Sequence, residues 1–226
     1  MQSTESVPHD AMSFSAREQV VRATRALLAL GRDPTQLEKV FEIGEAVNAK
    51  ILPRVIDRMK DEPEVKRLFD ERPRIDTKHV DFAWLESLPD GTLGREYARF
   101  MRDNQIDPDV FPKPNVADER VAYLMTRVRQ THDLWHVLAG YAPDLEGEVI
   151  LQAFSFAQMR SPLSFLLVAM ATLRHRGKIE RYFQKIADGY RRGKATRRLA
   201  TFYWEDHWTD SLVELREKLG CPPPSA

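Results

Sequence analysis

The chain holds a single cysteine, Cys221. No disulfide can form within it, which suits a reducing compartment. It also lacks any apolar run near the roughly 18 to 20 residues that a membrane span requires. The longest candidate, Ser164 to Leu173, reaches about half that length before Arg174-His175-Arg176, which predicts a buried helix rather than a span. An excess of one charge sign is missing too: 34 Lys/Arg balance 34 Asp/Glu. Attraction to a polyanion must therefore rest on local clustering. Strand-like alternation is scarce, and neither an internal repeat nor a low-complexity segment appears outside the chain ends. The first fifteen residues carry Glu5 and Asp10 without an apolar or arginine-rich amphipathic core. The expectation is neither a secretory signal nor a transit peptide.

What is present reads as helix. Ser15-Ala16-Arg17-Glu18 is a capping box that opens a helix carrying Val20, Val21, Leu27 and Leu28 and stopping near Gly31. Asp33-Pro34 starts another, with Leu37, Val40, Phe41 and Val47 on one stripe. Pro53, Pro63 and Pro73 divide the next stretch into short helical pieces. A chain of 226 residues is long enough for one sizeable core. The expected fold is all-α, a single-domain helical bundle-like arrangement over residues 16–220. Residues 1–15 are expected to be disordered or loosely held, and 221–226 to form a tail.

Two stretches are more specific. In Ser87-Leu88-Pro89-Asp90-Gly91-Thr92-Leu93-Gly94, Pro-Asp-Gly predicts a tight turn and Thr92 a helix cap. The helix that follows carries Leu93, Tyr97, Phe100 and Met101 on one side. Gly94 in its first turn leaves room for another backbone or a ligand to approach; the plainer alternative is a well-made helix start packed on the core. Farther on, a long helix is expected from about Asp118 to Ala139, with Val121, Leu124, Met125 and Val128 leading into His132, Trp135 and His136 on one inward stripe. Arg120 and Arg127 fall elsewhere on the wheel.

Two histidines four apart put two imidazoles on one helix face, a natural chelate for a divalent metal. Asp133 lies beside His132, within reach as a ligand or as an imidazole partner. After Gly140 and a turn from Tyr141 to Gly147, a new helix is expected at about Glu148. There Glu148, Gln152 and Ser155 form a polar stripe among Ile150, Leu151, Phe154 and Phe156. Two histidines and two carboxylates brought to a core face need mutual neutralisation, because an unpaired buried ion costs several kcal/mol. A divalent cation supplies it; a metal-free histidine–carboxylate network is the alternative. Spacing leaves Asp144 and Glu146 as rival carboxylates. A zincin protease would carry glutamate where Asp133 stands. His79 and Asp206 have no context that marks them as the extra ligands of a His-Asp phosphohydrolase.

Residues 174–198 hold ten Lys/Arg against Glu180 and Asp188, a local charge near +8. Ile179, Tyr182, Phe183 and Ile186 interleave at helical spacing, which describes a basic amphipathic helix suited to an anionic membrane surface. Arg174, Arg176, Lys178, Arg181 and Lys185 are the residues that would touch it. The alternative is a solvated face paired with acidic neighbours such as the Asp61 to Asp81 region. No nucleic-acid module accompanies the charge, so nucleic acid is not an expected partner.

His132-Asp133-x-x-His136 with eleven intervening residues before Glu148, together with Gly140 and Gly147, resembles the ubiquinone (coenzyme Q) biosynthesis protein 4 family. So do Leu88 to Gly94 continuing to Tyr97 and Phe100-Met101, and Trp204-Glu205 with Leu215 to Gly220 near the C-terminus. The resemblance covers most of residues 35 to 220. It implies an all-α fold in which His132, Asp133, His136 and Glu148 ligate a divalent metal, usually zinc. It implies oxidative decarboxylation of a polyprenylated hydroxybenzoate, with hydroxyl replacing carboxyl, or else a non-catalytic scaffold that binds a polyprenyl lipid. Tyr97, Phe100, Gln152 and Ser155 are candidate pocket residues. Other ubiquinone-biosynthesis proteins and a second copy of the chain are candidate partners. The expected location is cytoplasmic, peripheral to the inner face of the cell membrane.

Overall fold

The computed structural model describes residues 48–110, 113–174 and 179–223. The two helices expected before residue 48 lie outside the described residues, as do residues 1–15 and the last three of the chain. Among the described residues the architecture is all-α. The helices are α1 (Leu52–Met59), α2 (Pro63–Glu71), α3 (Phe82–Ser87), α4 (Leu93–Asp103) and α5 (Glu119–Ala139), then α6 (Leu145–Met159), α7 (Pro162–Arg174), α8 (Ile179–Ala195) and α9 (Leu212–Leu219). A 3-10 turn, Trp204–His207, precedes α9. No strand occurs there; one antiparallel bridge pairs Thr92 with Ser211.

Pro53 and Pro63 fall in the first turns of α1 and α2, where a missing N–H costs nothing. They start the short helical pieces that the sequence predicts. The central element is α5, capped by Asp118 at its start and by Gly140 at its end, with φ +74°. Trp135, Leu134, Leu138 and Ala139 bury completely in the main core, alongside Tyr97, Phe154, Trp204 and Leu215. That one cluster joins α4, α5, α6 and the C-terminal segment. Arg127, placed off the inward stripe by the helical wheel, is buried as well. It forms a forked ion pair with Glu205 (2.5 and 2.7 Å) and donates to the Phe202 carbonyl.

Gly94 meets a backbone, not a ligand. Its N–H donates to the Trp208 carbonyl at 2.8 Å, and a Cβ there would lie 2.8 Å from Leu85 and Leu88 side-chain atoms. Thr92 caps α4 through the Arg95 N–H. The Leu88 to Gly94 motif therefore docks α4 on residues 208–212, as the plainer alternative held. Two further glycines set the spacing of α6 and α8. A Cβ on Gly189 would lie 2.8 Å from the Ile150 carbonyl oxygen, and one on Gly193 only 2.4 Å from that of Phe154.

The helix at residues 162–174 corrects an expectation. Phe165 on α7 is 59% exposed, and Leu163, Leu167 and Val168 are only half-buried. An apolar sequence does not bury on all sides when it lies at the edge of a bundle with neighbours on one side.

Candidate metal centre

Both histidines come from the last two turns of α5, and their rings meet edge to face with centroids 4.9 Å apart. His136 is buried, while the His132 side chain keeps 26% of its exposure. The first turn of α6 brings Glu148 across them. The His136 Nε2 lies 3.0 Å from Glu148 Oε1, and the His132 Nε2 lies 3.7 Å from Oε2. The nearly buried Asp133 places Oδ1 3.5 Å from His132 Nδ1. Ligand atoms of His132, Asp133 and His136 all lie within 4.8 Å of one another.

The local backbone explains the convergence. Helix α6 begins at Leu145, three residues earlier than expected, because Asp144 acts as its N-cap and accepts the Gly147 N–H at 2.7 Å. A Cβ on Gly147 would sit 1.9 Å from the Ala142 carbonyl oxygen, so only glycine lets the helix start this close to the turn. Asp144 is thereby committed to the cap. Glu146 pairs with Lys185. The two rival carboxylates are occupied elsewhere, and Glu148 is the one that reaches the imidazoles. His79 is held by Asp76 and Asp206 by Arg67, far in role from this cluster.

The donor set tests whether a metal fits. His136 Nδ1 faces the Tyr141 backbone carbonyl at 3.1 Å. A carbonyl can only accept, so Nδ1 carries a proton; in the neutral ring Nε2 then keeps its lone pair. That lone pair then confronts a carboxylate oxygen, an acceptor facing an acceptor, unless a second proton or a cation lies between them. Burial raises the Glu148 pKa, but the His136 hydrogen bond and the two imidazole charges outweigh it and hold the pKa below the usual range. Burial disfavours a protonated His132, yet the Asp133 hydrogen bond and the Glu148 charge prevail and raise its pKa. Donors bound at 2.0–2.1 Å in a tetrahedral site stand about 3.3 Å apart, between the two Nε2–carboxylate separations. His132, Asp133 and His136 thus offer ligand atoms that could hold a divalent ion, with Glu148 Oε1 3.0 Å from His136 Nε2.

Phe100 stacks on the His136 ring at 5.6 Å, so it belongs to the wall of the site. Tyr97 is buried, stacked on Trp208 at 5.9 Å; burial first and the Asp133 charge second push its pKa far up. Ser155 is buried and Gln152 half-buried; among the described residues neither hydrogen-bonds to the cluster. Of the basic positions, Arg176 and Lys178 lie outside the described residues, as do the side chains of Arg174 and Arg181. Lys185 is taken up by Glu146. Arg197 and Arg198 pair with Glu64 and Glu62, so the acidic-neighbour alternative accounts for this end of the basic segment. The Tyr141 carbonyl that faces His136 Nδ1 has no sequence signal of its own.

Comparison with known proteins follows the same lines. The family profile described as Coenzyme Q (ubiquinone) biosynthesis protein Coq4 matches residues 10–225. The chain belongs to that family. It is 36% identical over 207 residues to the "Ubiquinone biosynthesis protein COQ4 homolog, mitochondrial" of Xenopus tropicalis, covering 91% of this chain and 74% of that relative. The human homolog of the same description is 32% identical over 209 residues, covering 88% and 79%. The fold is similar to the crystal structure of a protein from Nostoc punctiforme assigned to ubiquinone biosynthesis. The TM-score is 0.74 at 30% identity, over 92% of this chain and 99% of that one. As in the sequence, no described helix is long and apolar enough to cross a membrane.

Proposed function

We propose that this member of the ubiquinone-biosynthesis family binds a divalent metal, zinc by donor type, through His132, Asp133, His136 and Glu148. At that centre the ring carboxyl of a polyprenylated hydroxybenzoate would leave as carbon dioxide and hydroxyl would take its place, with dioxygen accepting the two electrons and, together with one water, ending as hydrogen peroxide and the new hydroxyl. The observation that carries this reading is the His136 imidazole, held through Nδ1 by the Tyr141 carbonyl so that Nε2 is aimed at Glu148. A bound cation supplies Lewis acidity toward a carboxylate and its neighbouring phenol. Zinc undergoes no redox change, so the oxidation falls to dioxygen meeting an electron-rich phenolate, or requires a redox-active ion in the same donors. Residues of the chain supply the rest. His136 is fixed by the Phe100 ring and the Tyr141 carbonyl, while the more exposed His132–Glu148 edge is where substrate enters. The nearly buried Asp133 lies beside His132, with Oδ1 3.5 Å from Nδ1.

Purified protein should convert prenylated hydroxybenzoate only with metal and dioxygen both present. Full turnover by His132→Ala would sink the site assignment. The second reading, a polyprenyl-lipid-binding scaffold for other ubiquinone-biosynthesis proteins, draws on the exposed Phe165 and Phe183. It predicts that Glu148→Ala still assembles those partners, whereas the enzyme reading predicts accumulation of the carboxylated precursor. Peripheral attachment to the inner face of the cell membrane belongs to both readings. It draws on the apolar side of α7 and the cations near residues 174–181, since Lys185, Arg191, Arg197 and Arg198 farther along are paired with carboxylates. Co-sedimentation with vesicles should increase with anionic lipid and decrease with salt; indifference to both removes the membrane from the proposal.

A further inference from the structure

The last four carbonyls of a helix have no partner within it, and in α5 these belong to His136, Val137, Leu138 and Ala139. The His136 carbonyl accepts the N–H groups of Gly140 and Tyr141 at 2.8 and 3.2 Å. Arg216, on α9, donates from Nη2 to Val137 at 2.9 Å and from Nε to Leu138 at 2.8 Å. Arg192, on α8, donates to Ala139 at 2.7 Å and also to the Pro222 carbonyl. The Arg192 guanidinium further lies 4.8 Å from the centre of the Tyr141 ring. Tyr141 is the residue whose carbonyl holds His136 Nδ1. One nearby cation would answer the negative end of the helix dipole. Three directional bonds from two forked side chains also fix the direction of the backbone.

We propose that Arg192 and Arg216 are positioning residues for the His136 imidazole. They lock the turn at 137–141, so that the Tyr141 carbonyl stays on Nδ1 and Nε2 stays aimed at Glu148. The inference rests on the metal reading above. It also gives a role to the Leu215 to Gly220 motif, in which α9 ends at Gly220 and delivers Arg216 to the end of α5.

The sign of the effect on affinity tests it. Zinc affinity of the full chain is measured by competition with a chromophoric chelator for wild type, Arg192→Met, Arg192→Lys and Arg216→Lys. Stability of each metal-free chain comes from urea unfolding, and the His136 tautomer from imidazole nitrogen NMR shifts. Positioning predicts about threefold to tenfold weaker zinc binding in all three variants, less than the 10–100-fold typical of a direct outer partner. It also predicts a smaller Nδ1–H population in metal-free His136. If the arginines contribute charge alone, Arg192→Met tightens cation binding and the lysine variants leave it unchanged. If they serve the fold alone, unfolding midpoints drop while affinity and tautomer stay put. Either outcome overturns the proposal. Arg216→Lys keeps the test open should Arg192→Met fail to fold. A wild-type chain that takes up no zinc overturns the metal reading together with this one, whereas wild-type uptake with unaltered variants overturns this one alone.

Discussion

Arg127 has no exposed side-chain surface, and Glu205 is the carboxylate that neutralises it. Removing one partner of such a pair leaves a charge stranded, which typically costs more than the pair contributes. Glu205→Gln should therefore lose about 3 kcal/mol by urea unfolding. A loss below 1 kcal/mol, the range of surface pairs, would mean that water reaches Arg127. Asp76 offers a pH test. Its side chain is 10% exposed. Burial raises its pKa, but the His79 hydrogen bond and charge, followed by the Arg74 charge, outweigh this and leave the folded pKa below the usual value. A depressed folded pKa gives stability that is present above the unfolded value of about 3.9 and lost as pH falls through the lower folded one. Wild type should lose stability toward Asp76→Asn across that acid window. Parallel curves for the two proteins there would contradict the assignment.

At the scale of elements, the glycines of α8 decide how near it lies to α6. The atoms that a Gly193 Cβ would meet all belong to the Phe154 backbone, the nearest at 2.4 Å, so no side chain can swing aside. Gly193→Ala should cost on the order of 1–3 kcal/mol by thermal or urea unfolding, the usual range for overpacking. A neutral result would show that α8 is free to move out. These contacts also mark what the sequence reveals. The α5 boundaries were legible because Asp118 and Gly140 are side-chain signals for helix ends, and the polar set His132, His136 and Glu148 was legible because side-chain type and period define it. The start of α6 was misjudged because Asp144 could serve as ligand or as cap, and only the approach of Gly147 to Ala142 decides. Burial of Arg127 and exposure of α7 were hidden because each depends on what the other elements place against a helix face. The Tyr141 carbonyl carries no residue-type signature at all; every residue has one.

In the whole molecule, metal should act on one region and leave another untouched. Helix α2 is fastened to the C-terminal segment by charge pairs, Arg197–Glu64, Arg198–Glu62 and Arg67–Asp206. These are exposed and each contributes little. The C-terminal half of α5 and the start of α6 meet instead at four polar side chains that call for positive charge between them. A ligand that binds only the folded state, present at a hundred times its dissociation constant, stabilises by about 2.7 kcal/mol. At roughly 2–4 °C per kcal/mol for a chain of this size, that is about 5–11 °C of Tm. A chelator should therefore lower the Tm of wild type by that amount and leave His136→Ala unaffected. Hydrogen exchange should localise the effect, because an ion held by these side chains would join two helix segments away from α2. Amides of residues 132–150 should be slowed by metal, while those of α2 exchange at the same rate with and without it. Equal slowing throughout would place the added stability in global unfolding and remove the local clamp between α5 and α6.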